Sequence, residues 1–364
     1  MSLVYITTEP SDRIRVEGTI QTPDWIHPHL IESTDAIKGR QFLVSGPIPK
    51  GACLLVDSPY AVIPVVDEPA QNDNLICSNP ACNRPAPRHT RISCPNACIP
   101  DVTWCGSICR DADSLRHDFE CAWLKRYAGT IRSKRGEYDF GMLWVILRLL
   151  AARHCQLHEQ TVAESSHWKH GWSGIESLCG SEDTWPHDMV RSWSALVKKY
   201  LRSSSALPHE MSADRVLHLI CQEEANSFGL YPRETGHFPL PKPPVDRGEQ
   251  FAAAVYPTAA IANHSCLPNV SGYLPKFVKV MLSHHKIIHK ADDKGRMVFT
   301  ASRDIFPGEE CCISYFDLTQ YTDLTSRREH LRKSFRFVCQ CERCVSEESA
   351  NESTEWTTMP MMDM

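Results

Sequence analysis

Two hydrophobic periods alternate along this chain. Residues 1–35 mix polar and apolar positions with scattered prolines and read as a short strand or two with loops. From Lys38 the pattern becomes strand-like. Gln41-Phe42-Leu43-Val44-Ser45, the turn Gly46-Pro47-Ile48-Pro49-Lys50-Gly51 and the run Ala52-Cys53-Leu54-Leu55-Val56 predict strand, turn and strand. Residues 60–66 predict a further apolar strand, followed by the loop Gln71-Asn72-Asp73-Asn74. Residues 122–220 turn helical: 140–150 predicts a buried helix, and 189–200 and 213–224, apolar at spacings of three and four, predict amphipathic ones. Residues 231–246 contain five prolines and read as a linker. Strand character returns at 278–282 and 297–301, with the His/Lys-rich stretch 283–296 between them as a solvated hairpin tip. Residues 345–364, with five acidic and no basic side chains, read as a disordered tail. There are no internal repeats.

A length of 364 residues allows two to three domains of ~150 residues and ample core burial. Hydrophobic content of 42% with 23% charged residues fits a globular protein and excludes wholesale disorder. The net charge of −5 gives no global attraction to nucleic acid, so direct nucleic-acid binding is not expected. Residues 1–15 lack a basic segment followed by an apolar run, so no secretory signal is expected. The longest apolar stretches, 142–152 and 251–262, are too short to span a bilayer, and no membrane association is expected. Seventeen cysteines in such a chain point to reduced thiols and metal ligation rather than disulfides. The expected compartment is the cytoplasm, the nucleus, or both.

Eight ligands fall within 45 residues: Cys77, Cys82, Cys94, Cys98, Cys105, Cys109, His117 and Cys121. Thiolate and imidazole suit zinc, and eight ligands complete two tetrahedra. The segment has too little periodicity to build a core by itself and should need metal to fold. Buried free thiols would not explain four close pairs. A second cluster, Cys339, Cys341 and Cys344, lacks one ligand of a tetrahedron. The basic run Arg327, Arg328, Arg332, Lys333 and Arg336 reads as a solvated helix face, or a patch for an acidic partner.

The ending Cys105-x3-Cys109-x7-His117-x3-Cys121 resembles the second half of a MYND zinc finger. In that family the sites interleave, which implies Cys77, Cys82, Cys105 and Cys109 for one zinc and Cys94, Cys98, His117 and Cys121 for the other. The first two pairs have four and three intervening residues, where the family usually has two. A proline-rich protein partner is what this resemblance implies for the block.

Asn263-His264-Ser265-Cys266 and Gly308-Glu309-Glu310-Cys311-Cys312-Ile313-Ser314-Tyr315, followed by the Cys339-x-Cys341-x2-Cys344 cluster, resemble the SET domain of protein lysine methyltransferases. With Lys38-Gly39-Arg40 at the start and the cysteine block inserted, the layout is similar to the SET-and-MYND methyltransferase family over roughly residues 35–346. That implies an α+β fold: a mostly β SET core with a pseudoknot, an inserted zinc finger, a helical insert and a zinc-bound post-SET segment. The implied division is 1–35 N-terminal segment, 36–70 first SET part, 77–121 zinc finger, 122–235 helical insert, 250–317 second SET part, 325–346 post-SET and 347–364 acidic tail. Longer members continue into a helical-repeat domain. Twenty residues follow Cys344 here, so a short form is expected.

The resemblance implies methyl transfer from S-adenosylmethionine to a lysine side chain of a protein substrate. Tyr315 matches the catalytic tyrosine. Lys38, Gly39, Arg40, Asn263, His264, Phe335, Arg336 and Phe337 match cofactor-binding positions, and Asn226 matches a residue near the substrate channel. Cys266 would complete a third zinc with Cys339, Cys341 and Cys344 and pin the C-terminal segment over the pocket. Gln41 stands where the family often has a second glycine. The alternative reading is a catalytically silent SET and MYND scaffold that recruits protein partners.

Overall fold

The computed structural model describes residues 25–72, 75–158, 171–202, 207–208, 210–233, 243, 245–273, 278–282, 286–290 and 296–357. The fold is α+β. A four-stranded antiparallel sheet runs in the order Trp25–Ile26, Cys53–Asp57, Met297–Ala301, Val270–Tyr273. A three-stranded antiparallel sheet runs Ala61–Pro64, Ala252–Val255, Ser227–Leu230. Short pairs complete the β part, among them Leu30–Asp35 with Gly39–Val44.

Burial explains the sequence patterns. All four residues of Ala61–Pro64 are buried, because both faces of that strand are covered. Ala61 and Ile63 join one core with the helical insert, while Val62 joins the second core with Phe42, Leu54, Tyr256 and Ile313. The helix Glu137–His158 buries residues 142 to 151 without interruption, Arg148 included. Ala213–Asn226 is amphipathic and starts at Ser212, whose hydroxyl accepts from Arg215 N–H. His187–Leu196 continues into a π turn over Val197–Leu201.

Three expectations change. The helix Ser114–Arg135 begins inside the cysteine block and carries two of its ligands, so block and insert share one rod without a boundary at residue 121. The predicted strand 278–282 pairs with Lys286–Lys290, inside the stretch read as a hairpin tip, and joins a separate two-stranded sheet. Of the expected disordered tail, residues 345–357 belong to the helix Glu342–Thr357, and 358–364 lie outside the described residues. The acids of this helix meet the basic run upstream: Arg327 bonds Glu347, and Arg328 forms a two-point contact with Glu348 at 2.5 and 2.9 Å. Arg327 is fully buried, so the solvated-face reading fails at that position. Most of the proline-rich stretch 231–246 lies outside the described residues.

Candidate active site and metal centres

Among the described residues, three sets of metal-ligating side chains form. They are Cys77, Cys82, Cys105 and Cys109; Cys94, Cys98, His117 and Cys121; and Cys266, Cys339, Cys341 and Cys344, each with its ligand atoms within 4.8 Å of one another. Sulfurs stand 3.7 Å apart for Cys82 and Cys105, 3.6 Å for Cys94 and Cys121, and 3.6 Å for Cys266 and Cys344. A tetrahedral ion bonded at ~2.3 Å to sulfur needs edges of ~3.8 Å. The sets fit zinc, in the interleaved pairing. Four protein ligands per ion leave no open position, so these ions would be structural.

Local turns absorb the wide spacings. The Cys82 N–H donates to Asn79 O at 2.9 Å, and the Ala97 N–H donates to Cys94 O at 2.9 Å. Asn83 and Ala97 both take φ of 48°, the left-handed region that tight turns use. His117 and Cys121 lie four residues apart on Ser114–Arg135 and therefore on one helix face.

The second assembly lies where two distant segments cross. Asn263–His264 pairs in parallel with Cys312–Ile313. Asn269 locks the crossing: its Nδ2 donates to Glu310 O at 2.8 Å, and its Oδ1 accepts from Cys312 N–H at 2.8 Å. This is the pseudoknot geometry. It brings Tyr315 against His264, with the Tyr315 N–H donating to His264 Nδ1 at 3.1 Å. The Tyr315 hydroxyl donates to Ala262 O at 3.1 Å. Its ring sits 5.2 Å from Phe335 and 6.4 Å from Phe337, centroid to centroid. Burial raises the phenol pKa above its ordinary value, and the thiols of Cys179 and Cys312 and the Glu310 carboxylate push it the same way. The phenol therefore stays protonated at neutral pH.

Asn263 Nδ2 donates to Arg40 O at 3.1 Å and to Glu310 Oε1 at 2.9 Å, while the other oxygen of Glu310 takes the Lys38 ammonium. Gly39 adopts φ of +76° with open space where a Cβ would stand, so backbone conformation and not crowding selects glycine there. Arg40 bonds Glu32 through Nε and Ser177 through Nη1, and its Nη2 is buried without a partner. Asn226 donates to Cys179 O at 2.6 Å, so the 177–179 loop connects both Arg40 and Asn226 to the neighbourhood of Tyr315. Arg336, at φ of 65°, lays its guanidinium over Trp185 at 5.6 Å. Gln41 follows Arg40 on a strand and points to the opposite face, where it is buried.

The third metal set adjoins His264. His264 Nε2 lies 3.3 Å from Cys266 Sγ, and Cys266 shares a buried cluster with Phe316, Leu331, Cys339 and Cys344. Of the expected cofactor positions, Lys38 and Asn263 meet through Glu310, Asn263 also bonds Arg40 O, His264 meets Tyr315, and Phe335 and Phe337 pack against the Tyr315 ring. Sequence reasoning missed Glu310, which joins Lys38 to Asn263, and also Ser177, Cys179 and Trp185. Glu310 lay inside a quoted motif, while the other three carry no local signal.

Comparison with known proteins identifies the family. A SET domain family model matches residues 45–316. A potential protein lysine methyltransferase of Saccharomyces cerevisiae, SET6, is 32% identical over 149 residues, covering 41% of this chain and 32% of that protein. The N-lysine methyltransferase SMYD2 of Bos taurus is 25% identical over 182 residues, covering 50% and 34% respectively. The matches thus span about a third of the length of these relatives. A crystal structure of the SET domain of LSMT bound to lysine and AdoHcy aligns over 85% of this chain and 53% of that one, at 12% identity and a TM-score of 0.39. With the family model covering most of its length, including the crossing that holds Asn263 and Tyr315, this chain belongs to the SET domain family.

Proposed function

We propose that this protein transfers a methyl group from S-adenosylmethionine to the side-chain amine of a lysine in a protein substrate, as a SET-and-MYND methyltransferase. One observation carries the reading: Tyr315, the Asn263–His264 strand and the Cys266-centred thiol set all meet at His264. The lysine methyltransferases among its relatives support it.

The residues gathered here suit the cofactor. Arg40 Nη2 is a buried cationic donor with an unmade hydrogen bond, a match for a carboxylate. Phe335 and Phe337 offer apolar faces for a purine. S-adenosylmethionine, when bound, supplies the methyl group on a sulfonium whose sulfur keeps the electron pair of the broken S–C bond. The incoming lysine must lose its proton to solvent first, since its ordinary pKa is ~10.4. Burial beside Tyr315 would help by desolvating the ammonium, which lowers that pKa. The Tyr315 hydroxyl has committed its hydrogen to Ala262 O, so its oxygen lone pair is left to accept an amine N–H. That contact aims the nitrogen's free electron pair at the methyl group. Zinc held by Cys266, Cys339, Cys341 and Cys344 would fix the segment carrying Phe335 and Phe337 as one wall, supplying structure and no chemistry.

Calorimetry with S-adenosylmethionine tests the reading. One cofactor bound per chain is expected, weakened when Arg40 becomes Met. A wild-type protein that shows no binding heat is a scaffold, and the proposal fails.

A further inference from the structure

Glu120 is fully buried on the helix Ser114–Arg135, beside the metal-set residues His117 and Cys121. Its Oε1 accepts from Arg116 Nη1 at 2.8 Å and Arg148 Nη2 at 3.2 Å, and faces His117 Nδ1 at 3.3 Å. Its Oε2 accepts from Trp144 Nε1 at 2.9 Å and Arg148 Nε at 3.1 Å. Arg148 Nη1 then reaches Val62 O at 2.7 Å, in the strand Ala61–Pro64. Asp113 accepts two further bonds from Arg116, whose Nη2 also donates to Ser78 O at 3.3 Å, and accepts from Trp104 Nε1 at 2.8 Å. Two guanidiniums thus face two carboxylates, and the group is neutral within itself. One unbroken hydrogen-bonded path runs from a metal-ligating histidine to a strand whose Val62 packs in the core with Tyr256 and Ile313.

We propose that Glu120 is a positioning residue for the second zinc ion and that, through Arg148, it couples that ion's occupancy to the strand Ala61–Pro64. A ring nitrogen that meets a carboxylate must donate, so Glu120 fixes the hydrogen of His117 on Nδ1. The lone pair of Nε2 is then free for the metal. Nε2 indeed lies on the thiol side, 3.1 Å from Cys94 Sγ and 3.8 Å from Cys98 Sγ. Carboxylates in this position hold the ligand ring in place and raise its basicity, and their loss typically weakens metal binding by roughly ten- to a hundredfold. A carboxylate serving only to fill space would give no such selectivity. Here it also gathers Arg148 and Trp144 from a second helix, so the metal loop, the insert and the sheet meet at one side chain.

The proposal rests on zinc filling the set of Cys94, Cys98, His117 and Cys121, and the test separates the two. Zinc release from the full chain to a chromophoric chelator is followed for wild type, Glu120→Gln and Cys94→Ser. Cys94→Ser is expected to lack one ion. Glu120→Gln, which keeps side-chain size, is expected to release that same ion ten- to a hundredfold faster and the other two at wild-type rates. Amide exchange of residues 61–63 should rise in wild type once that ion is removed. Equal release by wild type and Glu120→Gln overturns the proposal alone, while an unchanged zinc count in Cys94→Ser overturns the zinc reading beneath it. Nitrogen NMR of the wild-type imidazole gives a readout that needs no variant. A proton on Nδ1 of His117 supports the proposal, and a proton on Nε2 overturns it.

Discussion

Replacing Tyr315 by Phe separates chemistry from architecture at the crossing. The change removes one oxygen. In the ground state that oxygen makes a single described bond, to Ala262 O at 3.1 Å, while the ring keeps its contacts with His264, Phe335 and Phe337. Loss of one such bond costs about 0.5–1.5 kcal/mol of stability. In a protein of this size that lowers the melting temperature by only a few degrees. A preorganised polar contact to the reacting groups is worth more, about 2.7–4 kcal/mol, or roughly 10²–10³ in turnover. Cofactor affinity should stay within about threefold, or ~0.7 kcal/mol, because Arg40, Asn263 and the aromatic wall are untouched. The assay measures initial rates of labelled-methyl transfer at saturating cofactor, alongside thermal unfolding and calorimetry on the same preparations. A loss of turnover below threefold refutes the role of Tyr315. A parallel collapse of cofactor binding would show that the hydroxyl holds the pocket together instead.

Three more outcomes are expected. Cys344→Ala should lower bound zinc by one ion per chain, abolish turnover and increase amide exchange across Leu324–Ser334 and Glu342–Thr357; unchanged zinc and exchange would remove the third metal centre. Asp57 is buried and its Oδ2 accepts from the N–H groups of Thr258 at 2.9 Å and Ala259 at 2.7 Å, at the turn leading to Asn263, so Asp57→Ala should cost about 2–4 kcal/mol in denaturant unfolding. Burial and the neighbouring Glu224 hold the Glu223 carboxyl above its usual range, so the folded state keeps a proton that the unfolded state releases. Stability from that group is full below the unfolded carboxylate value of ~4.3 and falls as pH rises through the folded value. Glu223→Gln should therefore gain stability over wild type as pH climbs from ~4.5 toward 8; parallel melting curves across that range would contradict it.

Close-spaced ligands were legible in the sequence because a chelate pair is a local pattern. Cys266 joined the tail thiols only through the family resemblance, since 73 residues separate it from Cys339 and no periodicity links them. The strand Asn263–His264 is two residues long and exists only through its pairing with Cys312–Ile313, so the hydrophobic pattern reads a turn there. Glu310, Ser177 and Trp185 act across separations of 47 residues or more, where composition carries no signal. The acidic tail misled for a related reason. Its charge pattern suggests disorder when read by itself, but Arg327 and Arg328, twenty residues upstream, supply the counter-charges that fix it as a helix. Ala213–Asn226 was legible because its apolar residues recur every three to four positions, and Glu137–His158 because its apolar run, buried without a break from 142 to 151, is longer than a strand.

The central claim is that the crossing of Asn263–His264 with the Cys312–Tyr315 segment forms a methyl-transfer pocket for lysine. Tandem mass spectrometry of lysine-bearing peptides incubated with the protein and methyl-labelled S-adenosylmethionine tests it most directly. The account predicts label on the lysine side-chain nitrogen with wild type and almost none with Tyr315→Phe. Label on another atom, or equal labelling by both proteins, would contradict it.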